Sequence, residues 1–388
     1  MRELRARMRR FIDEEVIARE PDLLARDGSG RAVLEELKAS AKAQGLWALG
    51  HPKEIGGGGV PFMPFVYLNE VIGRSEFGQA AVGTLSMQDS IMLHLHASDE
   101  QRRRWLDPLV AGELYPSVGL TEPEVAGSDP TLMQTTGRLE GGEWVIDGHK
   151  WFTTGANRAA FTTVFCKTDP DAPRHLQFSS VIVPTDTPGY EIVRVIPVMG
   201  DDDGVHGSHC EVRLNGVRVP ESNLLGPRGQ GFVIAQQRLG PGRIFHCMRW
   251  LGQAERAFDL MCQRANSRYA HGSLLADKGE VQRYVAESAA QIQACRLMTL
   301  DAARVMDCGG EARVEISLIK FHGARMLHDV IDRAIQVHGA LGLTGDTPLE
   351  RMYRNARGGR MYDGPDEVHR MVVARRLLRH PDSAPWAF

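Results

Sequence analysis

Apolar residues recur at helical spacing toward both ends of the chain, and short strand-like runs lie between them. Leu4, Met8, Phe11, Ile12 and Val16 share one helical face, as do Val33, Leu34 and Leu37. Residues 1–116 therefore predict a helical domain. From 117 to 226 the period changes. Runs rich in Val, Ile, Thr and Phe, at 144–146, 162–166, 179–183, 192–198 and 210–214, alternate with turn residues such as Glu140-Gly141-Gly142 and Asn215-Gly216. This predicts a middle β domain, sandwich or barrel. After Gly226 the helical period returns. Cys247, Trp250, Leu251, Ala254, Phe258, Met261, Cys262 and Ala265 form one stripe, and Val281, Val285, Ile292 and Cys295 begin another. A third helix is predicted over about 312–338. Long striped helices predict a bundle over 227–388. The fold class is α+β and multidomain: helical, β, helical.

Composition narrows the class further. The 388 residues are 43% hydrophobic and 24% charged, with a formal net charge of −3. Dispersed Lys and Arg on a slightly acidic chain give no footprint for nucleic acid. No apolar run approaches the roughly 18 residues of a membrane span. The six cysteines form no CxxC pair and read as reduced thiols of a cytoplasmic protein. Gly56-Gly57-Gly58-Gly59 lacks the GK[ST] ending of a P-loop. His94 and His96 point apart on a helix, so they predict no metal pair. Asp201-Asp202-Asp203 with His206 and His209 reads as a solvated loop, without the ligand order of a calcium site.

The stretch 334–370 concentrates candidate chemistry. A helix stops at Gly339 and Gly342, arginines 351, 354, 357 and 360 cluster at three-residue spacing, and Asp363 stands in a small-residue loop. A helix restarts near Glu367, with Pro365 and Asp366 suited to its first turn and its free N–H groups suited to an anion. Two further segments carry hydroxyls beside turns or aromatic rings. One is Leu120-Thr121-Glu122-Pro123-Glu124-Val125-Ala126-Gly127-Ser128-Asp129. The other is His149-Lys150-Trp151-Phe152-Thr153-Thr154-Gly155-Ala156, at a strand end. Read alone, the first is a connecting loop and its neighbour's tryptophan a core residue.

Together these pieces resemble the acyl-CoA dehydrogenase family. LTEPEVAGSD, GHKWFTTGA, VRVPESNLLG with GQGF, SRYAHGSLL, and AIQVHGALG with MYDGPDEVHR occur in the family's order across nearly the whole chain. The GPGRI turn and the DGPDEVH loop are most similar to the subgroup typified by family members ten and eleven. The resemblance implies an N-terminal helical domain, a middle β-barrel or sandwich and a C-terminal four-helix bundle. It also implies FAD held between the β domain and the bundle of a homodimer or homotetramer. Carried over by position, Leu120, Thr121, Gly127 and Ser128 contact flavin, with Ser128 also at the substrate. Trp151, Phe152 and Thr153 cover the flavin and bond near its N5. Arg268 reaches the pyrophosphate, Gln336, Val337, Gly339 and Ala340 lie along the dinucleotide, and Pro365 and Glu367 meet its adenosine part. Arg243 and Gly364 adjoin the substrate.

Asp363 takes the place of the family's catalytic glutamate, one methylene shorter and thus about 1.5 Å less in reach. The implied reaction is α,β-dehydrogenation of an acyl-CoA, with Asp363 removing the α-proton, hydride passing to the flavin and electrons going on to an electron-transfer flavoprotein. Nitroalkane-oxidase-type relatives also use an aspartate base, so a flavin oxidase or monooxygenase acting on a non-CoA substrate is the second expectation. A flavin-free scaffold is the third.

Overall fold

The computed structural model describes every residue except 26, 202, 203, 205, 206, 387 and 388. Asp202, Asp203 and His206 of the predicted solvated loop therefore lie outside the described residues. The longer helices are α1 (Arg2–Arg10), α2 (Gly30–Ala43), α3 (Phe62–Ile72), α4 (Met87–His96), α5 (Gly231–Ser267), α6 (Gly279–Asp307), α7 (Arg313–His338), α8 (Leu349–Gly358) and α9 (Asp366–Arg379). The strands are β1 (Pro116–Gly119), β2 (Thr136–Glu140), β3 (Glu143–Thr154), β4 (Phe161–Lys167), β5 (Phe178–Pro184), β6 (Tyr190–Val195), β7 (His209–Pro220) and β8 (Leu224–Leu225). The chain divides into two compact units. One comprises Met1–Ala18, Pro61–Gly78 and Gly240–Phe388; the other comprises Arg19–Val60 and Gln79–Leu239.

The second unit is built on an eight-stranded sheet in the order β6-β7-β3-β2-β4-β5-β8, with β1 paired in parallel to β4. β4 and β5 are buried on both faces, because successive side chains enter different cores. Phe161, Phe165, Phe178 and Ile182 pack with Trp105, Leu106 and Met92 of the helical segments. Val164, Cys166, Val181 and Val183 pack with Ile146, Leu214 and Val217 of the sheet. β1 and β2 have no counterpart in the predicted strands. Each is four or five residues long, and β2 is polar along most of its length.

The first unit joins α1 and α3 to the C-terminal helices. At the α3–α5 crossing, a Cβ on Gly73 would sit 2.3 Å from Arg249 Cα, and one on Gly252 would sit 2.0 Å from Glu70 O. Only glycine lets the two backbones approach so closely. Charge is buried at the same crossing. The Glu70 carboxylate accepts from Arg5 of α1 at 3.2 Å and Arg296 of α6 at 3.3 Å, and Arg296 also binds Glu255 of α5. Arg74 spans Asp13 at 2.9 Å and Asp259 at 3.0 Å. The predicted GPGRI turn is instead helical: α5 runs through Pro241 without a break. A proline costs about 3 kcal/mol inside a helix. Ile234 and Ala235 before it and Ile244, Phe245, Cys247 and Met248 after it are all buried, which outweighs that cost.

Burial, and next the Glu70 carboxylate, push the Glu255 carboxyl up to about 7. A raised carboxyl pKa means the folded chain holds that proton more tightly than the unfolded chain. Its contribution is complete below the ordinary carboxyl value and fades as pH rises toward 7. Glu255→Gln should therefore melt at progressively higher temperature than wild type as pH goes from 5 to 8. Differential scanning fluorimetry across that range checks this, and a pH-independent difference would refute it.

Candidate active site

Asp363 lies in the loop between α8 and α9, and that loop is held by its backbone. α7 delivers Lys320, whose Nζ donates to Gly359 O at 2.7 Å and Gly364 O at 3.4 Å. α5 delivers Arg243, whose Nε donates to Asp363 O at 2.9 Å. α9 delivers His369, whose Nε2 lies 3.1 Å from the same carbonyl and Nδ1 3.3 Å from Ser317 Oγ. A carbonyl can only accept, so Nε2 carries the His369 proton. Asp363 and Gly364 both adopt left-handed backbone, at φ +54° and +99°. At Gly364 a Cβ would also meet His369 Nε2 at 2.8 Å.

With its carbonyl occupied, Asp363 turns its largely buried carboxylate toward α5, and Oδ2 is 3.2 Å from His246 Nε2. Arg249 Nη2 lies 2.8 Å from the other ring nitrogen, Nδ1. A guanidinium has no acceptor, so Nδ1 must accept and the imidazole proton sits on Nε2, the nitrogen nearer Asp363. Burial and then the Arg249 charge depress His246 to about 4 against the opposing pull of Asp363, so the ring is neutral. Its ring packs on Tyr362 at 4.9 Å and over Trp250 at 6.2 Å. Trp250 Nε1 donates to Tyr362 Oη at 3.0 Å. Lys320 lies over both rings, at 5.3 and 5.2 Å, a cation–π arrangement that offsets part of its desolvation. Burial lowers the pKa of Lys320 and of Arg249, the latter to about 10.

Three of the four arginines of the predicted basic patch resolve into separate pairs. Arg351 binds Glu76 at 2.6 Å, Arg354 binds Glu350 at 2.8 Å, and Arg360 binds Asp366 at 2.8 Å. The start of α9, predicted to suit an anion, already holds the buried Asp366 carboxylate, with Pro365 as its cap and Glu367 exposed beside it. Gln336, Gly339 and Ala340 are exposed at the end of α7. Val337 is 6% exposed, so its side chain packs in the core and offers nothing to a ligand. It is turned about 100° around the helix from Gln336. Arg268 is exposed just beyond α5.

In the other unit, Leu120 to Ser128 lie against β3. Thr121 Oγ1 donates to Trp151 O at 2.8 Å, and Trp151 N donates to Thr121 O at 3.1 Å. Glu122 is buried and accepts from Gln134 N at 2.6 Å, Thr135 N at 2.9 Å and Lys150 Nζ at 2.9 Å. Lys150 also donates to Leu120 O at 3.2 Å. Burial works against the Glu122 charge, but Lys150 and these donors outweigh it and hold the carboxyl below its usual range. Gly127 and Ser128 are exposed at the loop's tip.

The β3–β7 pairing shifts register between Lys150 and Thr153, and Phe152 within the shift has φ +49°. Before it, Trp144, Ile146 and Lys150 face inward; after it, Thr153 does, at 0% exposure. A bulge of this kind moves every later side chain to the other face. The Thr153 hydroxyl is thereby turned inward. Thr153 Oγ1 is buried and without a hydrogen-bond partner, and Trp151 is half-buried. The outward residues are Phe152, 41% exposed, and Thr154, whose hydroxyl lies 2.8 Å from His209 Nδ1.

His246, Arg249, Lys320, His369 and Thr154 were not among the predicted site residues. Two carried a signal: His246 follows Arg243 by three residues, hence on its helical face, and Lys320 is a lone lysine beside the buried Ile316 and Ile319. Among the described residues no group of three or more His, Cys, Asp or Glu could hold a metal ion. No described helix is long and apolar enough to cross a membrane.

Three models of the acyl-CoA dehydrogenase family match the chain: the N-terminal domain at residues 1–113, the middle domain at 117–217 and the C-terminal domain at 229–378. The Mycobacterium tuberculosis protein named "Probable acyl-CoA dehydrogenase FadE2" is 43% identical over 98% of this chain and 95% of its own length. Mouse acyl-CoA dehydrogenase family member 10 is 40% identical over 98% of this chain, which spans only 37% of that longer protein. A solved Mycobacterium abscessus structure designated an acyl-CoA dehydrogenase is 39% identical, covers 97% of each chain and superposes with a TM-score of 0.92.

The Glu122–Lys150 pair leaves both side chains about 1% accessible. Removing one partner strands a buried charge, so Lys150→Met should cost about 3–5 kcal/mol. Removing both, as in Glu122→Gln with Lys150→Met, should recover part of that loss. Urea denaturation of the three proteins decides it; a single variant as stable as wild type would show that the pair is not desolvated.

Proposed function

The chain belongs to the acyl-CoA dehydrogenase family, whose enzymes are FAD-dependent oxidoreductases, and we propose that it dehydrogenates an acyl-CoA thioester at its α and β carbons with Asp363 as the base. The observation that carries this reading is the hold on the 359–364 loop. Lys320, Arg243 and His369 fix its backbone through carbonyl oxygens, and the Asp363 carboxylate remains the loop's acidic side chain. A base fixed through its main chain keeps its reach to one substrate atom.

The residues present fit FAD. Phe152 turns a flat ring outward at the end of β3, and Thr154 sets a hydroxyl two residues on. Exposed Gly127 and Ser128 end the loop bonded to that strand, and Arg268 offers an exposed cation suited to a pyrophosphate. At Gly339 an added Cβ would meet nothing within 4 Å, so the backbone there is open to a ligand. Bound FAD would supply the hydride acceptor. The chain's own work is to orient the thioester, near Arg243 and Gly364, and to accept the α-proton on the Asp363 carboxylate. Electrons would leave through an electron-transfer flavoprotein, and the enzyme would act as a homodimer or homotetramer, as the family resemblance implies.

Asp363→Asn keeps the side chain's size and removes its basicity. Turnover of the best acyl-CoA should fall about 10²–10⁴-fold while FAD absorbance is retained. The substrate is found first, by anaerobic titration with acyl-CoAs of differing length and branching. Bleaching by one class identifies it. No bleaching by any, with rapid reoxidation in air, would move the assignment to an aspartate-base oxidase, and unchanged turnover in the variant would overturn Asp363 as base.

A further inference from the structure

We infer that His246 is a positioning residue for Asp363, and that Arg249 fixes the imidazole tautomer that lets it act. This rests on Asp363 being the base. The geometry is a relay of donors along one face of α5. Arg249 Nη2 occupies Nδ1 of His246 at 2.8 Å, which leaves the ring proton on Nε2, 3.2 Å from Asp363 Oδ2. The ring cannot swing away, because it is packed between Tyr362 and Trp250. Asp363 has one rotatable bond fewer than a glutamate, so one directed donor, added to a main chain already held by Arg243 and His369, sets where its second oxygen points.

The other charged and titratable groups around Asp363 define what His246 adds. α5 presents Arg243, Arg249 and Cys247; α7 presents Lys320; the loop presents Tyr362; α9 presents Asp366 and His369. Arg243 and Lys320 donate to backbone carbonyls and Arg249 to the imidazole. His246 reaches the carboxylate itself, with Nε2 3.2 Å from Oδ2. A neutral N–H donor stabilises the carboxylate without adding charge, unlike a direct arginine pair, which would hold the base too acidic to work. Burial keeps the ring in that neutral form across the working pH range. The arrangement therefore tempers the base and aims it with the same bond.

The test compares two variants of the FAD-loaded enzyme. His246→Phe fills the space between Tyr362 and Trp250 but has no donor. His246→Gln has an N–H for Asp363 and an oxygen for Arg249. The acid limb of kcat/KM should move up by about one pH unit in the phenylalanine variant, because the lost donor had favoured the carboxylate. The glutamine variant should return it to within a few tenths of wild type. A phenylalanine variant that binds FAD and keeps the wild-type limb would overturn the inference, whereas failure of the Asp363→Asn test would overturn the underlying reading instead. Should the phenylalanine variant not fold, ¹⁵N-histidine NMR of the wild-type protein decides the matter. A neutral Nε2–H ring from pH 5 to 9 supports the inference, and an Nδ1–H ring or a ring titrating in that range refutes it.

Discussion

The buried ammonium of Lys320 is the constraint on which the first unit's chemistry depends. It is fully enclosed among helices and faces two carbonyls of a short loop and two aromatic rings. An unpaired charge in such a place would be prohibitive. The carbonyls at 359 and 364 solvate it, and in doing so they close the loop that carries Asp363. Folding of the bundle and shaping of the loop are thus one event: the lysine cannot be buried unless the loop adopts this conformation. Arg243 and His369 then act on a segment already bent to receive them.

The second unit solves a similar problem with a different pair. Lys150 on β3 and Glu122 in the preceding loop are both sealed from water. Their contact ties that loop to the strand that turns Phe152 and Thr154 outward. In each unit a buried cation fixes an irregular segment by binding carbonyl oxygen there. The acidic seam of Glu70, Glu255 and three arginines shows what happens when charges are buried for packing alone: one carboxyl is driven toward neutrality.

Much of this was legible in the residue pattern. Three helical stripes and the alternating middle runs mark α5, α6, α7 and the longer strands, because each buries one face or two against its neighbours. The loop with Asp363 is marked by Gly364 and Pro365 after the aspartate. What the pattern did not carry was anything set by a single irregular position. One register shift after Lys150 exchanges the faces of Thr153 and Thr154, and no local residue announces it. Pro241 reads as a turn, yet sits inside a helix whose apolar residues on both sides outweigh its missing N–H. Arg351 reads as part of a basic patch, since its partner Glu76 is distant in sequence. His246 and Lys320 look like ordinary core exceptions until the fold brings Asp363 to them.

The left-handed backbone at Asp363 has a consequence for which acid can stand there. Asparagine and aspartate enter that region several-fold more readily than residues with longer side chains, because their short polar groups bond locally. With Gly364 also left-handed, the loop spends two consecutive residues on the turn. A glutamate would keep the charge but meet the conformation at a disadvantage, and its extra carbon would have to be placed within a ring-lined enclosure shaped without it. The main chain of this loop is therefore a filter on side-chain identity, and the shorter carboxylate is the one that the path of the backbone admits most easily.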